Sequence, residues 1–558
     1  VLKYDIISAD NRRVDSGEKS FVAKSKSSEE VEIETNVDKY GFYIARSYLY
    51  DGDEIKNSLE TRFSCIVNNE KQNPKTGFSA HPLAHGRGTY EETIGLTKNL
   101  GGSLLRDDYP MWQMYKEDGV TKKAFYAPFV NYPTLARESG VTVLPIMGPG
   151  PDNMCGVNWP PTLETMQNTK VLDMWSNYAK ELAEMLKGKC DEIEIYNEWP
   201  GQATNKTKAT PAAYAEFLKA TSKALREANP DVKVVAFCCF YSDTEWMDGV
   251  LKDLGTNPGQ YFDAISVHPY VTSGEMPEKG GVEDSITALH TLMDKYGLSN
   301  KEVWSTEFGY STGAQVKKVT EKSQAEYTVR GSLILDPYVD KNVMYTITQK
   351  QAQSAGETGF GMVRTYSGLK INYEARPLAA AMTNYNNIMC DAEFVDKQST
   401  DDGIYIYRYK MADGKQVAVM WSIDSDKTVS VNLGTDKVEQ VDIYGNAQDV
   451  YAYGGEHTFY LSGSPLYIIG DIAEVILSDS AKIKTENLNI TAAQNDDFKI
   501  SVINNIPNTE IKAKTSDNIS AESAENDGTI KFTTGNKHKE VENYAFDTVS
   551  TVETVRLS

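Results

Sequence analysis

Two short strings decide the fold: Glu194-Ile-Tyr-Asn-Glu-Trp199 and Val303-Trp-Ser-Thr-Glu-Phe-Gly-Tyr310. Each carries a brief apolar run that ends on a glutamate, the first at Asn197-Glu198 and the second at Glu307. Runs such as Ile193–Tyr196 and Val303–Thr306 read as buried strands. A carboxylate at the tip of a buried strand is costly unless the tip opens into a polar cleft. Two such tips can bring two carboxylates together across one pocket.

Outward from these strings the same pattern repeats. Strand-like runs occur at Gly77–His81, Ser103–Asp107, Val141–Met147, Glu192–Asn197, Lys233–Cys238, Asp263–His268, Glu302–Glu307 and Val343–Thr348. Helical stretches lie between them. Trp175, Tyr178, Leu182 and Met185 recur at steps of three and four, as do Tyr214, Phe217, Leu218, Thr221 and Leu225 after Pro211 at a helix-start position. Eight β–α units between 74 and 389 are the arithmetic of a (β/α)8 TIM barrel, an α/β fold. A doubly wound sheet would want a Gly-rich first turn for a cofactor, and the first strand has none.

The flanks read differently. Residues 1–73 alternate in short runs, with Asp51-Gly-Asp as a turn, and predict a small N-terminal β-sandwich. After the barrel, 390–475 predicts a second sandwich packed on it, with strands such as Gln416-Val-Ala-Val-Met-Trp421. The segment 476–558 is poorer in aromatics and richer in Asn, Thr, Ser and Lys, and predicts a separable Ig-like β domain. The whole is a barrel flanked by β-sandwich domains at both ends.

Composition narrows the function. A chain of 558 residues is too long for one core. A net charge of −22 makes nucleic acid and anionic membranes poor partners. No run of 18 apolar residues exists, so no membrane span is expected. The 33 Tyr and 7 Trp suit a surface that stacks on the flat apolar faces of sugars. The six cysteines show no metal spacing and no disulfide framework; buried free thiols are expected, with one of Cys238-Cys239 able to face the cleft. The chain begins at Val1 with no secretory apolar segment, consistent with a signal removed from a protein of the cell exterior or surface; the cytoplasm is the alternative.

Paired carboxylates are the equipment of a general acid and a nucleophile at a glycosidic bond. Strands four and seven of a barrel face each other across its mouth, and barrel sites sit on the C-terminal face. Arg106 ends the second-strand run and can pair with a carboxylate there, or with Asp107 or Asp108. Glu194 is a rival carboxylate, read as interior or salt-bridged. Trp112, Trp159 and Trp199 follow strands two, three and four, as stacking platforms or as loop cores. Two decoys carry less weight. Gly309-Tyr-Ser-Thr-Gly313 imitates a serine nucleophile elbow, but only His457 and His538 follow it, in the β-rich tail. His81 and His85 have metal-like spacing, broken by Pro82.

Asn197-Glu198 on the fourth strand and Glu307 on the seventh resemble the pattern of glycoside hydrolase clan A. Asp263-Ala-Ile-Ser-Val-His-Pro-Tyr270 and Ser305-Thr-Glu-Phe-Gly309 look most like family 39, with families 5 and 51 as neighbours. The similarity covers about 77–385 and extends to the sandwich that follows. It implies a retaining glycosidase acting on a β-linked poly- or oligosaccharide, with no cofactor and no metal. Glu198 would be the acid/base, Glu307 the nucleophile, and Asn197 a partner of the sugar 2-hydroxyl. Arg106 would keep the nucleophile ionised. His268 and Tyr270 match the clan's His-x-Tyr after strand six, and Tyr310 follows the nucleophile as a further substrate-binding candidate. One departure stands out: strand eight reads Val343-Met-Tyr-Thr-Ile-Thr-Gln-Lys350, without the tryptophan that commonly floors the clan's sugar site. Tyr345 or Gln349 can substitute. The rivals are a glycan-binding barrel without turnover and a transglycosylase using the same residues.

Overall fold

The computed structural model describes residues 1–558 except 10, 23–29, 83–88, 117, 119–120, 124–125, 149–157, 168, 202–203, 314–317, 349–358, 366–372, 453–454, 479–482, 486–494, 496, 505–508, 516–518, 523–528, 535–543, 551–553 and 557–558. The chain divides into two compact units, Ile66–Cys390 and Val1–Cys65 with Asp391–Ser558.

The first unit is a closed parallel barrel. Its strands are β1 (Asn73–Ser79), β2 (Gly102–Pro110), β3 (Thr142–Gly148), β4 (Glu192–Ile195), β5 (Lys233–Phe240), β6 (Ala264–His268), β7 (Glu302–Phe308) and β8 (Lys341–Met344), in sequential order around the ring. Each of the eight overlaps one of the runs read from the sequence. The side-chain period of two builds the interior in layers. Leu104, Leu144, Val235, Ala264, Trp304 and Val343, from six strands, form one apolar plug. Below it the lumen is closed by charge: Lys233 Nζ lies 2.8 Å from Glu302 and Lys341 Nζ 2.7 Å from Glu192. Two residues beyond Leu104 on β2, the same face carries Arg106, one layer above the plug. Two residues beyond Glu192 on β4 it carries Glu194. The apolar layer is thus a floor, and the polar layer above it opens at the strands' C-terminal ends.

Helices jacket the barrel. Thr169–Leu186 and Pro211–Ala228 pack through Trp175 and Phe217, whose ring centroids lie 4.6 Å apart, and Trp175 Nε1 donates to Thr221 Oγ1 at 2.9 Å. Pro211 sits at the helix start as its fixed φ favours, behind the Thr210 cap.

In the second unit the N-terminal part differs from the expected sandwich. Leu2–Ser8, Arg13–Lys19, Gly41–Asp51 and Glu54–Cys65 form one four-stranded antiparallel sheet. Its buried residues gather at one end, in Ile6, Ile7, Phe42 and Tyr43, while Glu54–Glu60 is exposed throughout. Too little apolar surface faces either side to bury a second sheet of its own. Tyr40 instead ties to the C-terminal sandwich: its N–H donates to Asn446 Oδ1 at 2.9 Å and its carbonyl accepts from Asn446 Nδ2 at 3.0 Å. That sandwich pairs a six-stranded sheet with a three-stranded one around Ile406, Met420, Val431, Phe459 and Ile468. Ile476–Ser478 pairs with Lys427–Asn432, so the sandwich runs past the expected boundary at 475. Among the described residues, seven further strands between Ile483 and Arg556 make two small sheets. No helix among the described residues is long and apolar enough to cross a membrane.

Candidate active site

Arg106 organises the mouth of the barrel. It is wholly buried, and its guanidinium serves three elements: Nε donates to Glu194 Oε2 at 2.6 Å, Nη1 to Glu307 Oε1 at 2.5 Å and Nη2 to Asn197 Oδ1 at 2.8 Å. A planar fork of fixed donors suits this task as an ammonium would not. Burial opposes the charge on Arg106, but Glu194 and Glu307 outweigh it and hold the guanidinium protonated. Asp107 and Asp108 do not compete for it; His81 Nδ1 lies 2.9 Å from Asp108 Oδ2.

The chain turns sharply where β4 ends. Tyr196 and Glu198 have φ of +64° and +48°, a region that costs non-glycine residues energy and recurs at functional sites. Main-chain bonds hold the turn: Tyr196 N–H donates to Met147 O and Glu198 N–H to Cys238 O, both at 3.1 Å. The turn swings the Glu198 carboxylate over the lumen. There its Oε1 lies 2.8 Å from His268 Nδ1. On the opposite side, Glu307 Oε2 accepts the Tyr270 hydroxyl at 2.8 Å and lies 3.6 Å from His268 Nδ1. Oxygens of Glu198 and Glu307 and a ring nitrogen of His268 all lie within 4.8 Å of one another. Glycine is required just beyond: a Cβ on Gly309 would come 2.5 Å from the Tyr345 carbonyl, where the chains after β7 and β8 converge.

The electrostatics follow from this packing. Burial alone would strip His268 of its proton. Cys238, Glu307 and Glu198 outweigh burial and push its pKa well above the ordinary histidine value. Burial likewise raises Glu198, but the hydrogen bond and charge of His268, with Arg106 behind, bring its pKa below the usual carboxylate value. Burial, and then Glu307, keep Tyr270 protonated and donating.

The structure therefore brings Arg106, Asn197, Glu198, His268, Tyr270 and Glu307 together, and places Glu194 beneath them as the interior partner of Arg106. It does not bring the tryptophans with them. Trp199 is fully buried among Tyr196, Tyr214 and Phe217, and Trp159, 4% exposed, packs on Trp175 and Phe217. Neither has a face to offer a sugar, because the jacketing helices supply aromatic partners for both. Trp112 is 38% exposed and keeps a free face. Tyr310 is buried between Phe308 and Tyr327, behind the site rather than in it. Tyr345 is half-buried and packs against Tyr270 and Phe360, with ring centroids 6.4 and 5.4 Å away. Gln349, His85, Cys155 and His538 lie outside the described residues. Ser311, the elbow serine, is buried and accepts the Gly313 N–H at 3.0 Å. Cys65, Cys190, Cys238, Cys239 and Cys390 are free thiols.

Two residues stand closer to the site than the sequence reading placed them. His81, at the tip of β1, bears on Tyr345 with ring centroids 6.0 Å apart and pairs with Asp108. Cys238 was anticipated only as one of two thiols able to face the cleft. Two sets of side chains have a metal-like donor arrangement, Glu194 with Cys238 and His268, and Glu198 with His268 and Glu307. In both, the Arg106 guanidinium already bonds one of the carboxylates, a fixed cation beside the place a metal would take.

Residues 159–359 match the family model described as glycosyl hydrolase catalytic core. In fold the chain is similar to a family 39 glycoside hydrolase from the gut symbiont Bacteroides cellulosilyticus WH2, at a TM-score of 0.67 and 18% identity, over 84% of this chain and 94% of that one. It is also similar to a glucosidase from Croceicoccus marinus, at a TM-score of 0.51 and 13% identity, over 73% of this chain and 97% of that one. No curated protein matches it in sequence.

Proposed function

We propose that this chain, a glycosidase of the clan A barrel type with a carbohydrate substrate, hydrolyses a β-linked glycosidic bond of a poly- or oligosaccharide by double displacement, with retention at the reacting carbon. The observation that carries this reading is the proximity of Glu198 and Glu307, whose nearest oxygens lie within 4.8 Å at the barrel mouth. An inverting pair stands about 6.5–9.5 Å apart to admit a water, whereas a retaining pair stands about 5–5.5 Å apart.

The roles follow from the surroundings. Glu307 is the nucleophile: Arg106 and Tyr270 each hold one of its oxygens, which fixes the carboxylate and stabilises its charge. Glu198 is the acid and then the base. Its side chain is 21% exposed, so it can reach a leaving oxygen, and His268 stands beside it with a proton to share. Asn197 turns its carbonyl to Arg106, which leaves its amide N–H groups to meet a sugar hydroxyl. Tyr345 takes the floor position of the absent tryptophan.

A slow 2-fluoro glycoside, followed by digestion and mass spectrometry, tests the reading. The expected result is a covalent label on Glu307, absent from Glu307→Gln, which still binds glycan. A label elsewhere, or an unlabelled protein that turns the probe over with inversion, would overturn it.

A further inference from the structure

Cys238 touches both halves of the Glu198–His268 pair. Its Sγ lies 3.2 Å from His268 Nε2, while its carbonyl accepts the Glu198 N–H at 3.1 Å. The residue is fully buried and has a φ of +46°. A cysteine has no intrinsic reason to adopt that conformation, and the surroundings must hold it there. Ser266 helps, its Oγ accepting the Cys238 N–H at 3.2 Å. The remaining neighbours of Sγ are Arg106 Nη2 at 3.3 Å and Asn197 Oδ1 at 3.6 Å.

These partners restrict where the protons lie. Arg106 can only donate, so the sulfur accepts from it. Asn197 Oδ1 can only accept, so it is the natural target of the S–H. The lone pair facing His268 then receives the Nε2–H. We propose that Cys238 is a positioning residue that pins the Nε2 proton of His268, leaving Nδ1 to exchange a single proton with Glu198. The inference rests on the reading of Glu198 as acid/base. In the resting site the shared proton lies toward Nδ1. It passes through Glu198 to the leaving oxygen, and is replaced when Glu198 deprotonates the attacking water and hands that proton back to Nδ1. The groups facing His268 are Arg106, Glu194, Glu198, Cys238, Tyr270 and Glu307. Burial raises the Cys238 pKa, which favours the thiol form that these hydrogen bonds require.

Without the sulfur, the Nε2–H has no acceptor. The ring then favours its other neutral tautomer, with the proton on Nδ1, and Glu198 is left facing a donor that cannot also take a proton from it. The experiment compares pH profiles of kcat/KM on a glycoside with a poor leaving group and on an activated aryl glycoside. Cys238→Ala is expected to move the alkaline limb down by about one pH unit on the poor leaving group, the effect of one lost hydrogen bond. The activated substrate should be spared. Cys238→Ser, whose hydroxyl can also accept and donate, should recover part of the shift. Cys239→Ala, the adjacent buried thiol, should move neither limb. An unmoved limb in a folded Cys238→Ala, or equal slowing on both substrates, would overturn the proposal and make the thiol mere packing. If Cys238→Ala does not fold, Cys238→Ser decides on the same readout. Glu198→Gln, run alongside, separates the two readings. If it fails to discriminate between the substrates, the acid/base assignment falls and the Cys238 proposal with it. If it discriminates and the Cys238 variants do not, only the Cys238 proposal falls.

Discussion

Replacing Arg106 with methionine should cost more than any other single change at the barrel mouth. The methionine fills most of the volume but strands two buried carboxylates. Glu194 is wholly inaccessible and Glu307 is 8% exposed, so neither can recover its lost hydrogen bond from bulk water. Breaking a buried pair by deleting one partner costs about 3–5 kcal/mol, because the uncompensated charge remains. For a unit of this size that corresponds to a fall in melting temperature of about 4–7 °C. Much of the loss is the stranded charge, so removing that charge should restore part of it. Glu194→Gln alone should also destabilise, since Arg106 Nε then faces a neutral acceptor in place of its 2.6 Å carboxylate partner. The double variant Arg106→Met/Glu194→Gln should be less destabilised than the sum of the two by about 1–3 kcal/mol. Thermal unfolding of the full chain, followed by circular dichroism for the four proteins of the cycle, reads this directly. Strict additivity, or an Arg106→Met variant melting within about 2 °C of the parent, would show that the guanidinium carries little of the layer's stability, and the reasoning would be wrong.

Arg106→Lys should retain the charge but lose most activity, because one ammonium cannot hold Glu194, Glu307 and Asn197 in their observed directions; near-parental kcat/KM would refute the three-way fork. Glu198→Gln should slow substrates with poor leaving groups by about 10²-fold or more and activated aryl glycosides far less, with added azide restoring rate; equal losses would make Glu198 structural. The His268–Glu198 contact should give stability with a defined pH window. The raised pKa of His268 adds stability that is complete below its unfolded value of about 6.5 and is lost as pH rises through the folded value, while the lowered pKa of Glu198 adds stability above about 4.5 that is lost as pH falls through its folded value. The difference in melting temperature between parent and His268→Asn should therefore be widest near pH 5–6 and narrow toward alkaline pH; a pH-independent gap would leave only packing. Trp159→Ala should lose about 3–5 kcal/mol of stability and Trp112→Ala less than about 1, while only the latter weakens glycan binding in affinity electrophoresis; the reverse pattern would undo the distinction between core and rim.

Much of this barrel is written in local sequence. A parallel strand buried on both faces is a short apolar run, and eight such runs separated by helical periodicity leave few other folds. Strand ends are less legible. The eighth run looks extended to Thr348, yet the strand stops at Met344, because the chain leaves the ladder to converge on β7 and nothing in Tyr-Thr-Ile-Thr marks the departure. The N-terminal runs were recognisable as strands, but alternation alone does not count sheets, and a single sheet with one apolar end has the same pattern as half a sandwich.

The site divides along the same line. Glu198, Glu307 and Arg106 could be placed because each ends a readable strand, and the barrel's geometry brings such ends to one face. Trp159 and Trp199 follow strand ends too, and there the inference failed. Their rings are claimed by Trp175, Tyr214 and Phe217, on helices whose own periodicity says that they face inward but not which loop they cover. Cys238 shows the limit most sharply. Phe237 and Cys238 are ordinary apolar strand residues, yet both adopt positive φ, which no propensity scale would assign them. The left-handed step breaks the period-two alternation just before the end of β5, so the sequence offers no basis for saying whether Cys238 or Cys239 faces the lumen. The direction is set by long-range contacts, Tyr214 Oη accepting the Phe237 N–H at 2.6 Å and Ser266 Oγ that of Cys238. A side chain aimed by tertiary hydrogen bonds at a conformation its own residue type resists leaves no local trace.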